Sequence, residues 1–213
     1  MKRLYLVPIL LLLAVGAIGA VIEVPTAPAF MSLPIVGGGV EEAAAVCSEN
    51  ETYSYDKTTN NYTNIGYESD HFYNGTTFTQ TDGDIDVCAI SLRLVNIAGD
   101  PSNNDYYVSI FANDWNESLA GAAEGTSDAR GDLNLPSEEW VKFDFSSSVT
   151  LSSGTTYSIV VHTTEVDTTD VLRLRIETTD HSYTYGLYSQ WKQNKTPDNA
   201  TSAYDVPIKI WTE

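Results

Sequence analysis

Basic residues are scarce: the 213-residue chain holds 11 Lys and Arg against 29 Asp and Glu, for a formal charge of -18. No run of Lys or Arg offsets that balance, so the surface repels phosphates and nucleic acid is excluded as a partner. Such acidity suits a solvated extracellular protein, including one at high salt or in acid, and by itself names no function. Histidine is thin as well. His71, His162 and His181 stand far apart, and there is no HExxH, no Gly-x-Ser-x-Gly elbow, no Cys-His signature and no Gly-rich phosphate loop, the patterns that place metal ligands, nucleophiles and nucleotides. Glu138, Glu139 and Glu165 are the acids available for a glycosidase pair, but acids at strand ends are ordinarily just solvated. We expect no enzyme and no cofactor. No repeat of fixed period and no stretch with convincing helical periodicity is present.

Cysteine is limited to Cys47 and Cys88. In an exported chain that pair favours one disulfide; the other reading is two buried thiols. Export is written into the N-terminus. Met1 to Arg3 is basic, and the apolar run that follows to Ile22 ends in small residues, so 1–22 is a signal peptide or, being about as long as a membrane span, an uncleaved anchor. Membrane contact is expected only there. A linker over 23–46 follows, with Pro25, Pro28, Pro34 and a Gly37-Gly38-Gly39 hinge, yet Phe30, Leu33, Ile35 and Val36 make it apolar and β-prone. One expectation is that Ala29 to Val40 adds as an edge strand to a neighbouring like subunit; its rivals are folding back on its own sandwich or serving as a membrane stalk.

The remaining 47–213 read as one all-β domain. Ile90, Leu92 and Leu94 alternate with Ser91 and Arg93; Tyr106, Val108 and Ile110, then Val141, Phe143 and Phe145, then Leu172, Leu174 and Ile176, then Val206, Ile208 and Ile210 repeat the pattern, the signature of half-buried strands. Further strands are expected near Tyr62 to Tyr67, His71 to Thr79, with Asn74-Gly75 as a turn, and Tyr183 to Tyr188. Leu151-x-x-Gly154-Thr155-x-Tyr157 places a tyrosine where its hydroxyl bonds back to the corner's backbone. About nine or ten strands result, an antiparallel jelly-roll-like β-sandwich preceded by the hydrophobic signal or anchor helix.

These strand cores, with Trp140-Val-Lys-Phe143-Asp-Phe145-Ser and Tyr204-Asp205-Val-Pro-Ile208-Lys-Ile210, resemble a jelly-roll module often labelled a choice-of-anchor domain. Such modules occur in secreted microbial proteins, beside surface anchors, and in some viral structural proteins. The resemblance covers roughly Asp70 to Thr212 and implies a non-catalytic attachment or binding domain.

Asn50, Asn61, Asn74, Asn116, Asn194 and Asn199 each open an Asn-x-Ser/Thr sequon, where chance gives roughly two or three. Either the surface carries glycans, or the chain is simply rich in Asn and Thr and the sites stay bare. Asp82, Asp84 and Asp86 have the spacing that opens a calcium loop, but Arg93 stands where the closing Glu belongs. An acidic hairpin turn is the preferred reading, with Asp100, Asn103 and Asp105, or Asp167 and Asp170, as other loops able to take a structural calcium ion. Among Trp115, Trp140, Tyr183, Tyr185, Tyr188 and Trp191, the better candidates for an exposed platform that stacks on sugar rings are Trp140 and Trp191. Taken with the export signal and the sequons, the resemblance implies a glycosylated extracellular protein that forms or decorates a microbial surface structure, with like subunits, surface proteins or glycans as expected partners; the alternative expectation is a carbohydrate-binding module.

Overall fold

The computed structural model describes residues 47–50, 61–67, 72–114, 117–119, 121–164, 166, 168–178, 188–200 and 204–213. The 1–22 segment and the 23–46 linker, with Ala29 to Val40, lie outside these residues. Two antiparallel sheets face each other. The first contains β1 (Ser48–Asn50), β12 (Ile208–Thr212), β4 (Ile85–Ala98), β9 (Val171–Ile176) and β2 (Asn61–Ile65) in that order, with β7 (Glu139–Leu151) also paired to β4. The second runs β11 (Pro197–Ala200), β10 (Tyr188–Trp191), β3 (Tyr73–Thr79), β8 (Thr156–Thr163), β5 (Tyr106–Phe111) and β6 (Gly125–Thr126). Twelve strands are thus described. Several are edge pieces too short to show alternation, which is why periodicity alone undercounts them.

Register explains the core. Ile90 stands between Ile210 on β12 and Phe143 on β7, and Leu92 stands between Ile208 and Val141. Because side chains alternate across a strand, those rows point inward, and they meet Val108, Ile110, Tyr157, Ile159 and Val161 of the second sheet in one buried cluster. Burial of this many large side chains, each worth about 1.5–3 kcal/mol, drives the assembly. β7 does not follow β4 evenly. Ala89 pairs with Asp144 but Val87 pairs with Val149, so four residues of β7 stand opposite Cys88; Phe145 stays in the core and Ser146 to Ser148 are exposed. β7 keeps its core residues in step, from Val141, Phe143 and Phe145 to Val149 and Leu151, whereas the core side of β4 passes from Val87 to Ile90, Leu92 and Leu94. The irregularity accommodates that change of side, as bulges do when they re-aim a strand.

The corner before β8 closes as the sequence predicts. The Ser152 amide donates to the Tyr157 hydroxyl at 2.8 Å, and Gly154 takes φ +80°, a left-handed turn that glycine adopts without steric penalty. That corner is laced to the β3–β4 turn: the Gly154 amide donates to Gln80 O at 2.7 Å, and the Ser153 amide donates to Asp84 Oδ1 at 2.8 Å.

One expected turn is not a turn. Asn74-Gly75 lies inside β3, paired with Val161 and Val160 of β8. Asn-Gly is a strong hairpin signal only where the strand has no other use for those residues, and here it has one for each. A Cβ on Gly75 would fall 2.0 Å from the Ile159 carbonyl oxygen, so glycine permits the close approach of β8. Asn74 is fully buried and serves a network that crosses between the sheets. Its Oδ1 accepts from Gln190 Nε2 at 2.8 Å and Thr63 Oγ1 at 3.2 Å, and its Nδ2 donates to Asn64 O at 3.1 Å. The Tyr188 hydroxyl joins at Thr63 Oγ1, 3.1 Å away. Burial holds that phenol well above the usual tyrosine range.

Candidate functional site

The outward face of the first sheet gathers the chain's scarce cations. Arg93, Lys142, Arg173, Arg175 and Lys209, five of its eleven Lys and Arg residues, occupy strand positions that alternate with the core rows of β4, β7, β9 and β12. Two tryptophans share those positions. Trp140 pairs across from Arg93 on β4, and Trp211 pairs across from Ala89. Between them β4 presents only Ala89 and Ser91, and both are almost fully covered, so longer neighbours lie across them. Trp211 Nε1 donates to Ser91 Oγ at 2.7 Å, which turns the indole over the small-residue floor. The Lys142 ammonium sits 4.8 Å from the Trp211 ring centroid, and the Lys209 ammonium sits 4.9 Å from that of Trp140. Arg93 approaches Trp140 at 5.6 Å. These are cation–π distances. Lys142 also pairs with Asp144 at 2.8 Å and Lys209 with Glu49 at 2.9 Å.

Beside this lattice, Glu138 acts as a hub. Its carboxylate meets Arg93 Nε at 2.7 Å and Arg175 Nη1 at 2.5 Å, and accepts from the Tyr62 hydroxyl at 2.6 Å. That hydrogen bond, first among several causes, raises the Tyr62 phenol above its ordinary value. The hub ties β2, β4 and β9 to the start of β7. It also answers for one acid of the suggested glycosidase pair, since Glu138 is committed to two guanidinium groups and a phenol; Glu139 is exposed and Glu165 lies outside the described residues.

The other sequence-derived candidates separate clearly. Cys47 and Cys88 form a disulfide, with Cα atoms 5.9 Å apart. Trp191 must be corrected: it is 0 % exposed. Its ring packs with Phe111, Leu119 and Val160 in a second cluster on the outer side of the second sheet, and its Nε1 donates to Glu117 O at 2.8 Å. The polar excursion after β5 folds back over that sheet and buries the tryptophan, so no ring face is open to a sugar. Asn74 is also corrected as a glycan site, because an amide nitrogen buried in the inter-sheet network cannot carry a glycan in the folded protein. Asn61 and Asn194 are exposed, and Asn194 Oδ1 accepts from the Thr196 amide and hydroxyl at 3.1 and 2.7 Å. The side chains of Asn50, Asn116 and Asn199 lie outside the described residues, as do Trp115, Tyr183, Tyr185, His71 and His181; Tyr188 is in the core.

The acidic turn behaves as a turn. Asp84 accepts from Ser153 N, and Asp86 accepts from Thr150 Oγ1 at 2.6 Å. Asp100 caps a short turn through Ser102, while Asp170 accepts from the Asp100 amide at 2.7 Å and from Asn103 Nδ2 at 3.3 Å. Asp167 lies outside the described residues. Among the described residues no group of three His, Cys, Asp or Glu gathers to hold a metal ion.

His162 stands on the outer side of the second sheet, 2.9 Å from Ser109 Oγ and between the rings of Tyr73 at 4.8 Å and Tyr107 at 5.7 Å. Ser109 is 3 % exposed, so this Ser-His pair offers no substrate a path to the hydroxyl. Burial, with a smaller contribution from Lys195, pushes the imidazole down to about 4. An unfolded histidine takes its proton near pH 6.5. Stability from the neutral ring is therefore fully present above pH 6.5 and lost as pH falls toward 4. After discounting for partial exposure, about 2 kcal/mol should disappear over that window. Urea unfolding at pH 7 and pH 4 should show a smaller acid loss for His162→Gln than for the wild type, and equal losses would contradict the assignment.

Which signals were overlooked is clear from parity. Lys209 and Trp211 fall on the face opposite Ile208 and Ile210, and Trp140 and Lys142 fall opposite Val141 and Phe143. Alternation alone assigns all four to one side, but their juxtaposition across β4 requires the pairing. Compared with protein families, with curated proteins and with solved structures, the chain matches none.

Proposed function

We propose that the protein is a non-enzymatic, glycosylated extracellular β-sandwich that forms or decorates a microbial surface structure such as a filament, envelope layer or virion, its domain a jelly-roll module of the choice-of-anchor type. The observation that carries this reading is the use to which the domain puts its polar side chains. The Asn74 network spans the two sheets, the Glu138 hub binds four strands, and Asp84, Asp86 and Asp170 fasten loops. Bracing of this kind, with a disulfide, suits a component that must persist outside the cell. Like subunits or surface proteins are its partners, joined through Ala29 to Val40, and 1–22 directs export or tethers the chain. Immunogold labelling of source cells with antibody to the sandwich should mark the envelope, a filament or released particles; label confined to the cell interior would refute the reading.

Glycosylation follows accessibility. Peptide mapping of protein from its own source should find glycan at Asn194 and none at Asn74. Glycan on Asn74 of the folded protein would contradict its burial, and a bare Asn194 would count against glycosylation of this surface.

A second reading, a carbohydrate-binding module, is favoured by one observation: Trp140 is joined on an outward sheet face by Trp211, both partly exposed.

A further inference from the structure

We propose that the Trp140–Trp211 face binds an acidic polysaccharide, a polymer of uronate-type sugars. The inference rests on the carbohydrate-binding reading and names its ligand class. Neutral sugars need aromatic faces and hydrogen-bonding groups but gain nothing from concentrated charge. This face supplies both rings and charge. Five cations stand there against Glu49, Glu138 and Asp144, on a chain that is otherwise heavily acidic. Lys142 and Lys209 lie over the two indoles, 4.8 and 4.9 Å from the ring centroids, so each ring carries an ammonium group on one face. A sugar packed at such a ring brings its carboxylate within reach of the ammonium, and the contact becomes a charge-assisted hydrogen bond.

The ion pairs already present do not block that contact. Asp144 and Glu49 hold their lysines through partly exposed pairs, with side-chain exposures of 35 and 57 % for Lys142 and Asp144 and 24 and 27 % for Lys209 and Glu49. Exposed pairs of this kind contribute little individually, and an ammonium retains donors for a further anion. Trp211 is held by its bond to Ser91, and Trp140 is contacted by Arg93 and Lys209, so less ordering remains to be done on binding. Repulsion from the rest of the acidic chain is screened beyond about 8 Å at physiological ionic strength. The local cations therefore dominate at contact. Linear order also suits a polymer, because the rings lie diagonally across β12, β4 and β7, with Trp211 level with Ala89 and Trp140 level with Arg93. By strand spacing alone their Cα atoms are about 16 Å apart, which a chain of several sugars can bridge and a single sugar cannot.

Affinity electrophoresis of the full chain in gels containing polygalacturonate, with a neutral glucan as control, tests this. Retardation should appear with polygalacturonate alone and weaken as salt is raised. Lys142→Gln with Lys209→Gln should weaken it at least tenfold, and Trp140→Ala, which keeps every charge, should weaken it severalfold, with melting midpoints of both variants near that of the wild type. Retardation by the neutral glucan alone would preserve the carbohydrate-binding reading and overturn the acidic ligand; no retardation in either gel would overturn both. Full binding by the lysine variant would also refute the proposal. So would self-association at low salt without polysaccharide that the lysine variant abolishes, because the face would then belong to a second copy of the chain.

Discussion

Replacing Trp191 by Ala should destabilise the protein by about 3–5 kcal/mol, lowering the melting midpoint by roughly 10 °C for a domain of this size. The ring is wholly buried and closes the cluster made with Phe111, Leu119 and Val160. Its removal loses the transfer free energy of the indole and leaves a cavity that the sheet beneath cannot fill, because β10 is held on both sides by β3 and β11. The Glu117 carbonyl loses its donor as well. The excursion beyond β5 depends on the same ring, since Leu119 packs against it and the Leu119 amide donates to Lys195 O at 3.0 Å. Trp140→Ala is the control. Its ring lies on an outward face among cations, and its loss should cost well under that, about 1 kcal/mol. Differential scanning calorimetry of the two variants separates the cases; a Trp191→Ala midpoint equal to that of the wild type would contradict the burial.

Loss of the disulfide should have a comparable effect. Cys47 and Cys88 are 41 residues apart in sequence, and closing a loop of that length restricts the unfolded chain by on the order of 4 kcal/mol. The bond also fastens the chain at β1, a three-residue edge strand, to the central β4. Three residues of pairing are too few to hold an edge against fraying. Cys47→Ser with Cys88→Ser, or reduction of the wild type, should therefore lower the guanidinium midpoint and loosen β1 first in hydrogen exchange. An unchanged midpoint after reduction would show that the bridge restrains nothing.

How far the sequence could be read follows from what each signal depends on. Strands whose rows face the core, such as Ile90-Leu92-Leu94 and Leu172-Leu174-Ile176, are legible because burial enforces period two. The Tyr157 corner is legible because its spacing is local. Trp191 misleads because a ring's exposure depends on what covers the outer face, and the covering segment bears little apolar periodicity of its own. Asn74-Gly75 misleads because turn propensity is local, whereas the contacts that keep this pair in β3 come from residues more than eighty positions away along β8 and β10. The Trp140–Trp211 face was half visible. Parity shows which residues point outward, but only the pairing of β4 with both β7 and β12 brings the two tryptophans and their lysines together.

Intact mass of the protein purified from its own source tests most directly the claim that this is an exported, disulfide-bonded glycoprotein. The account predicts a chain, with or without 1–22, that carries discrete glycan increments and gains two hydrogens on reduction. A mass equal to the unmodified, fully reduced chain would contradict it.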